Sequence, residues 1–284
     1  MPHRVLIYGT AASGKSYWGN SSWWDSRNRK PRLNDKGEEL KGLWITFGSE
    51  DNPTLRIPEE NRRRFTSTGL DDLRWMTEFK TLTKSLVAAY KQNGKPAVDS
   101  IIIDGFSEFD LLFQQVLQST DESEIAKNQF HVWKRLMSEF FFAVQILNPV
   151  NTGANLIATA RRGEVKKFVQ RQVGSGASKQ QWDVEEGEGW FDGAEAAPSL
   201  HGGFRKDIPH YFDYVFYTDT DTKIATEGPR KGSRVPVHKL YTMKGGDVYI
   251  KNNSEEQWLE STFPLVLENS IFPDFAEIVA KLDE

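Results

Sequence analysis

The chain contains no cysteine among its 284 residues. That excludes a disulfide framework, a thiolate metal site and a cysteine nucleophile, and it fits a reducing cytosol. No apolar run approaches the length of a membrane span. The N-terminal stretch from Met1 to Gly9 enters a strand-like segment at once, which reads as leaving no room for a signal peptide. A cytoplasmic protein with no membrane partner is therefore expected. An excess of basic charge is also missing: 36 Lys and Arg stand against 40 Asp and Glu, a net charge of −4. The surface as a whole does not attract nucleic acid, so any such contact needs a local basic patch. No internal repeat is present. What is there, 38% hydrophobic and 12% aromatic residues, suffices to fill a core in one large domain or two small ones.

Short apolar runs alternate with helical patterns. Arg4–Tyr8 (RVLIY) reads as a buried strand ending at Gly9, and residues 15–24 as the helix after it. Residues 25–42 are polar with Pro and Gly, a loop. Leu43–Phe47 (LWITF) is a second strand, expected beside the first. Leu73, Met76, Phe79, Leu82, Leu86 and Tyr90 fall at helical spacing and predict an amphipathic helix over residues 71–92. Ser100–Asp104 (SIIID) is a third strand, continuous and apolar like the centre of a parallel sheet. Helical segments follow near 108–117 and 124–147, then strands at Ala154–Ala160 and Asp213–Tyr217. The alternation predicts an α/β fold, a mainly parallel sheet covered by helices. Residues 161–203, rich in Gly, Gln, Lys and Glu, read as one long loop. A polar hinge after Tyr217 leads to Val237–Met243 and Val248–Lys251, a hairpin turning at Gly245-Gly246. Pro273 opens a terminal helix.

The chemistry concentrates at the N-terminus. Gly9-Thr10-Ala11-Ala12-Ser13-Gly14-Lys15-Ser16 satisfies the phosphate-loop pattern G-x-x-x-x-G-K-[ST] in full, and Tyr17 follows it. Glycines let backbone N–H groups curl around phosphate oxygens, and the next helix aims its positive end at them. The pattern predicts that Lys15 neutralises the outer phosphates of ATP and that Ser16 holds Mg²⁺. Asp104, closing an apolar strand, suits a second support for the metal. Hydrolysis also needs a group that orients water. Two acids qualify, Glu50 after the second strand and Glu108 after the third, with Glu50 preferred. Gly105 directly after Asp104 excludes a paired Asp-Glu arrangement. Thr159, at the end of the fourth strand, is placed to touch phosphate or water, or serves only as a β-branched strand residue. Arg161 and Arg162 follow it and either reach phosphate or nucleic acid or cap the loop. Arg27–Arg32 is a second basic cluster on an exposed loop, and Trp23-Trp24 suit core or subunit packing.

The order of P-loop, strand closing on Glu50, Ile101–Asp104, strand ending at Thr159 and long loop resembles the RecA-like ATPases. It is most similar to the phage nucleotide-binding proteins that include RecA-like single-strand annealing proteins. Pro198–Tyr217, Tyr241–Asn253 and Phe272–Phe275 carry the resemblance into the C-terminal part. It implies a single RecA-like P-loop domain over 1–284, with a C-terminal hairpin and helix in 236–284. It implies Mg²⁺-dependent ATP hydrolysis with Glu50 activating water, in a homo-oligomer with ATP between subunits. Lys251 matches the first cation of an element that reaches a neighbouring subunit's nucleotide; Asn253 departs at the second. The segment 161–203 stands where such proteins bind DNA. There Lys166, Lys167 and Arg171, beside Phe168 and Trp182, suit single-stranded DNA, against the acids Glu185, Glu186, Glu188, Asp192 and Glu195. The implied setting is phage recombination or replication in the host cytoplasm, with a single-strand-binding protein as a further partner. A nucleotide-dependent assembly switch without DNA is the alternative. A small-molecule kinase is disfavoured because no short arginine-rich lid is visible.

Overall fold

All five apolar runs become strands of one sheet in the computed structural model, which describes residues 2–26, 28–48, 55–67, 74–112, 138, 142, 145–164, 168–173, 180–185, 196–200, 210–226, 231–241, 249–252 and 266–269. In chain order the elements are β1 (Arg4–Gly9), α1 (Lys15–Asn20), β2 (Trp24–Asp25), β3 (Lys30–Pro31), β4 (Gly42–Phe47), β5 (Arg62–Phe65), α2 (Arg74–Asn93), β6 (Ser100–Asp104), α3 (Pro149–Thr152), β7 (Asn155–Glu164), β8 (Phe168–Val173), β9 (Gln180–Glu185), β10 (Ala196–Pro198), β11 (Tyr214–Ile224), β12 (Arg234–Tyr241), β13 (Lys251–Asn252) and β14 (Val266–Asn269). Residues 106–112 are helical as well. The main sheet runs β14-β12-β11-β1-β7-β6-β4-β5, with β10 added to β7 and β13 to β11. From β11 to β5 neighbouring strands are parallel. The added strands β10, β12, β13 and β14 pair antiparallel.

The central strands carry unbroken apolar runs, such as Val5–Tyr8 and Ile101–Ile103, because both faces of the sheet are covered there. Leu6, Tyr8, Ile101, Ile103, Leu156 and Ala158 face one core, with Trp75, Phe79 and Leu86 of α2 and Phe106 and Phe109 of the next helical segment. Val5, Ile7, Ile102 and Ile157 face the other, with Trp18 of α1, Trp23 and Trp24. The α2 stripe at 75, 79, 83 and 86 follows the helical period and is buried. Burying its three large apolar side chains stabilises the fold by on the order of 5–9 kcal/mol before chain entropy is counted. Phe47 at the end of β4 sits in an aromatic cluster, with ring centroids 5.7, 6.1, 5.4 and 4.7 Å from Phe65, Trp75, Phe79 and Phe109.

Several boundaries differ from expectation. α1 ends at Asn20 rather than near residue 24. Asn20, Ser21 and Ser22 bond back to the carbonyls of Ser16, Trp18 and Gly19, and such side chains compete with helix propagation. The loop over 25–42 contains the β2–β3 pair and a bridge between Leu33 and Glu39. β4 does not neighbour β1; β7 and β6 stand between them. Residues 161–203 are not one irregular loop. β7 continues to Glu164, β8 and β9 form an antiparallel pair, and β10 pairs with the end of β7. The C-terminal hairpin is displaced too. β11 runs on to Ile224 and pairs with β12, while β13 joins β11, so the turn lies between 224 and 234. The Thr-Asp alternation of 218–222 reads as a hinge by polarity, yet β-branched threonines every second residue suit a half-exposed strand. Gly245-Gly246 and the helix expected from Pro273 lie outside the described residues, as do residues 71–73 and most of the segments 108–117 and 124–147. Among the described residues no helix is long and apolar enough to cross a membrane.

Candidate functional site

β1 lies between β11 and β7, and the chain leaves its carboxyl end at Gly9, the edge where open α/β sheets bind ligands. A Cβ at residue 9 would overlap the Thr218 carbonyl on β11, so glycine there permits the close approach. Ala12 (φ 58°) and Gly14 (φ 93°) both turn the chain in the left-handed region. Gly14 is the N-cap of α1 and contributes no side-chain cap. The Lys15 amino group donates to the carbonyls of Gly9 (3.2 Å) and Thr10 (2.6 Å), folding back over the loop.

The loop is braced from β11. The Thr10 hydroxyl donates to Asp219 Oδ1 at 2.9 Å. Buried Ser13 donates to the Thr10 carbonyl at 2.8 Å and lies 2.7 Å from the Thr218 hydroxyl. Thr220 Oγ1 is 3.4 Å from the Ala12 carbonyl and 3.3 Å from Nδ1 of His238 on β12.

On the opposite side stands Asp104. Its Oδ1 accepts from the Thr159 hydroxyl at 2.6 Å, and its Oδ2 accepts from the Trp44 indole at 3.0 Å. Thr159 in turn accepts from the Gly105 amide at 3.0 Å. Asp104 and Thr159 are both buried. Register explains the meeting: Trp44 pairs with Ile102 across β4 and β6, and Ile103 with Ala158 across β6 and β7, so Trp44, Asp104 and Thr159 share one face. Further along, Ser107 donates to the Ser199 carbonyl (2.7 Å) and accepts from the Arg161 amide (3.0 Å). Glu108 forms an ion pair with Arg161. Arg162 donates to the Tyr217 hydroxyl at 3.3 Å and lies over its ring.

These groups surround one cavity of about 720 Å³, lined by Gly9 to Tyr17, Asp104, Gly105, Ser107, Glu108, Thr159 to Arg162 and His238. That volume is ordinary for a small-molecule site. The expected residues Gly9, Thr10, Ala11, Ala12, Ser13, Gly14, Lys15, Ser16, Tyr17, Asp104 and Thr159 are therefore brought together, with Glu108 among them. Glu50, Lys166 and Lys167 lie outside the described residues, and Arg171 is described only as part of strand β8.

Lys251 is not in this group. It pairs with Val215, towards the start of β1, whereas the loop leaves at Gly9 opposite Thr218. Its amino group donates to the Phe212 carbonyl at 2.8 Å. Burial pushes its pKa down and Asp213 pulls it up, with a net fall. A nucleotide contact by Lys251 would have to be made to another subunit. Trp23 and Trp24 are buried against the sheet, as packing residues are. Sequence reasoning missed Trp44, Thr218, Asp219, Thr220 and His238, whose side chains are brought to the site by strand pairing and carry no motif. Compared with known proteins, the chain matches no family model and no curated protein sequence. Among the described residues no group of three or more His, Cys, Asp and Glu is placed to hold a metal.

Proposed function

We propose that the protein binds ATP with Mg²⁺ at the Gly9–Ser16 loop and hydrolyses it, as a RecA-like P-loop ATPase. The observation that carries this reading is the convergence of the complete phosphate-loop motif and Asp104 on one cavity at the carboxyl edge of a parallel sheet. The cavity suits the substrate. Two left-handed residues bend the loop, the α1 N-terminus has no side-chain cap, and Lys15 lies over the loop to meet anionic charge. Ser16 and Asp104 are the residues that would hold Mg²⁺. A magnesium ion shared with phosphates keeps several waters and needs only one or two protein groups, so a large acidic cluster is not required. A magnesium ion held by these two residues would supply positive charge to offset that of the outer phosphates. Thr159 holds the Asp104 carboxylate in place, and Glu50 is the proposed water-orienting acid.

The broader proposal is an oligomer acting on single-stranded DNA in phage recombination or replication, with Lys166, Lys167 and Arg171 on the phosphates. The test is ATP turnover by wild type and Lys15→Ala, with and without single-stranded DNA. Loss of turnover in Lys15→Ala and stimulation of wild type by DNA are expected. Normal turnover in the variant refutes the site. Turnover indifferent to DNA, with assembly that follows nucleotide, favours a nucleotide-dependent assembly switch.

A further inference from the structure

The cavity has two chemically distinct ends. In the sheet order, Asp104 on β6 lies two strands to one side of β1, and His238 on β12 lies two strands to the other. Four strand spacings separate them by roughly 19 Å. The β6–β7 end carries Asp104, Thr159 and the arginines that follow it, groups suited to phosphate and its metal. The β11–β12 end presents a flat imidazole. His238 Nδ1 lies 3.6 Å from where a Cβ would stand on Gly14, so the ring borders the start of α1. Thr220, its pairing partner on β11, lies with its hydroxyl 3.3 Å from the same nitrogen, and this contact helps fix the ring.

A nucleoside triphosphate has one strongly charged end and one flat aromatic end. With its phosphates over Lys15 and Ser16 and the terminal one directed to Asp104, the nucleoside leaves toward β11 and β12. We infer that His238 is the base-side contact of the nucleotide, and that it gives the site its preference for a nucleoside triphosphate over bare polyphosphate. Imidazole is among the side chains on which unstacked bases pack. The inference rests on the reading of the cavity as a triphosphate site. It adds a specificity-determining residue that no phosphate motif contains.

The experiment is calorimetric titration of the whole chain with ATP and, separately, with inorganic tripolyphosphate. The proteins are wild type, His238→Ala, His238→Phe and Lys15→Ala. Loss of one base-stacking surface weakens ATP binding by about ten-fold or more. So His238→Ala is expected to lose ATP affinity on that scale while tripolyphosphate binding stays unchanged, and His238→Phe, which keeps a flat ring, is expected to retain ATP. Lys15→Ala weakens both ligands. Equal weakening of both by His238→Ala puts the imidazole on the phosphates and overturns the inference. Unchanged ATP binding in His238→Ala, or a Phe variant as weak as Ala, overturns it as well. If wild type binds neither ligand, or Lys15→Ala binds both normally, the triphosphate reading fails and the role of His238 falls with it.

Discussion

Thr159→Val removes one oxygen and keeps the β-branched shape, so it opens no cavity. The lost hydroxyl donates to Asp104 at 2.6 Å and accepts from the Gly105 amide at 3.0 Å, and Thr159 itself is only 1% exposed. A hydrogen bond to a charged group contributes about 1.5–3 kcal/mol net, and one between neutral groups about 0.5–1.5 kcal/mol. The added methyl returns about 0.8 kcal/mol of burial. The balance is a destabilisation of about 1–4 kcal/mol, read as a lower urea midpoint with an unchanged slope. Tryptophan fluorescence reports it, since the chain has nine tryptophans. A second readout separates this tether from general packing. In Thr159→Val the Asp104 carboxylate loses the hydroxyl donor to Oδ1 and keeps the Trp44 indole on Oδ2. The Mg²⁺ concentration for half-maximal ATP turnover should rise in Thr159→Val and stay near wild type in Thr159→Ser, which keeps the hydroxyl. A stability loss under about 0.5 kcal/mol, the scatter of an inconsequential substitution, with an unchanged Mg²⁺ requirement refutes the assignment.

Glu50→Gln should spare ATP binding and slow turnover by about 10²–10⁴-fold, as loss of a positioned base does. If Glu108→Gln stalls turnover and Glu50→Gln does not, the role passes to Glu108, already in the cavity and paired with Arg161. Changing Lys166, Lys167 and Arg171 to Ala should weaken single-stranded DNA binding and lower the log–log salt slope by about 0.7 per lost phosphate contact; an unchanged slope removes these residues from the interface. Burial raises the Asp213 pKa, but the Arg4 hydrogen bonds and charge outweigh it and hold the carboxyl below its ordinary value. The contribution of that pair is therefore present above about pH 3.9, the ordinary aspartate value, and is lost as pH falls through the lower folded-state value. Arg4→Met should be less stable than wild type at neutral pH, with the gap closing in acid; a gap constant across the titration refutes it.

The sequence by itself determined the elements whose signal is local. A phosphate loop needs glycines, Lys15 and Ser16 at fixed spacing, and a strand buried on both faces needs an unbroken apolar run such as Ile101–Ile103. Both patterns are consequences of short-range chemistry; the apolar run forms β6, and the Gly9–Ser16 segment joins β1 to α1. Tertiary structure alone decided which strands neighbour β1. Burial on both faces makes RVLIY, LWITF, SIIID and ANLIATA alike as strands, so pattern does not order them, and LWITF stands three places from RVLIY. The same holds for the site. Asp104 was legible at a strand end and Thr159 in an apolar run, although β7 continues past Thr159 to Glu164. Their hydrogen bond, the Trp44 indole on the second carboxylate oxygen and the brace from Thr218, Asp219, Thr220 and His238 all follow from register between strands distant in the chain. Polarity made residues 218–222 resemble a hinge because an exposed strand edge and a loop share one composition. Only pairing with β12 separates the two, and pairing is a property of the folded sheet.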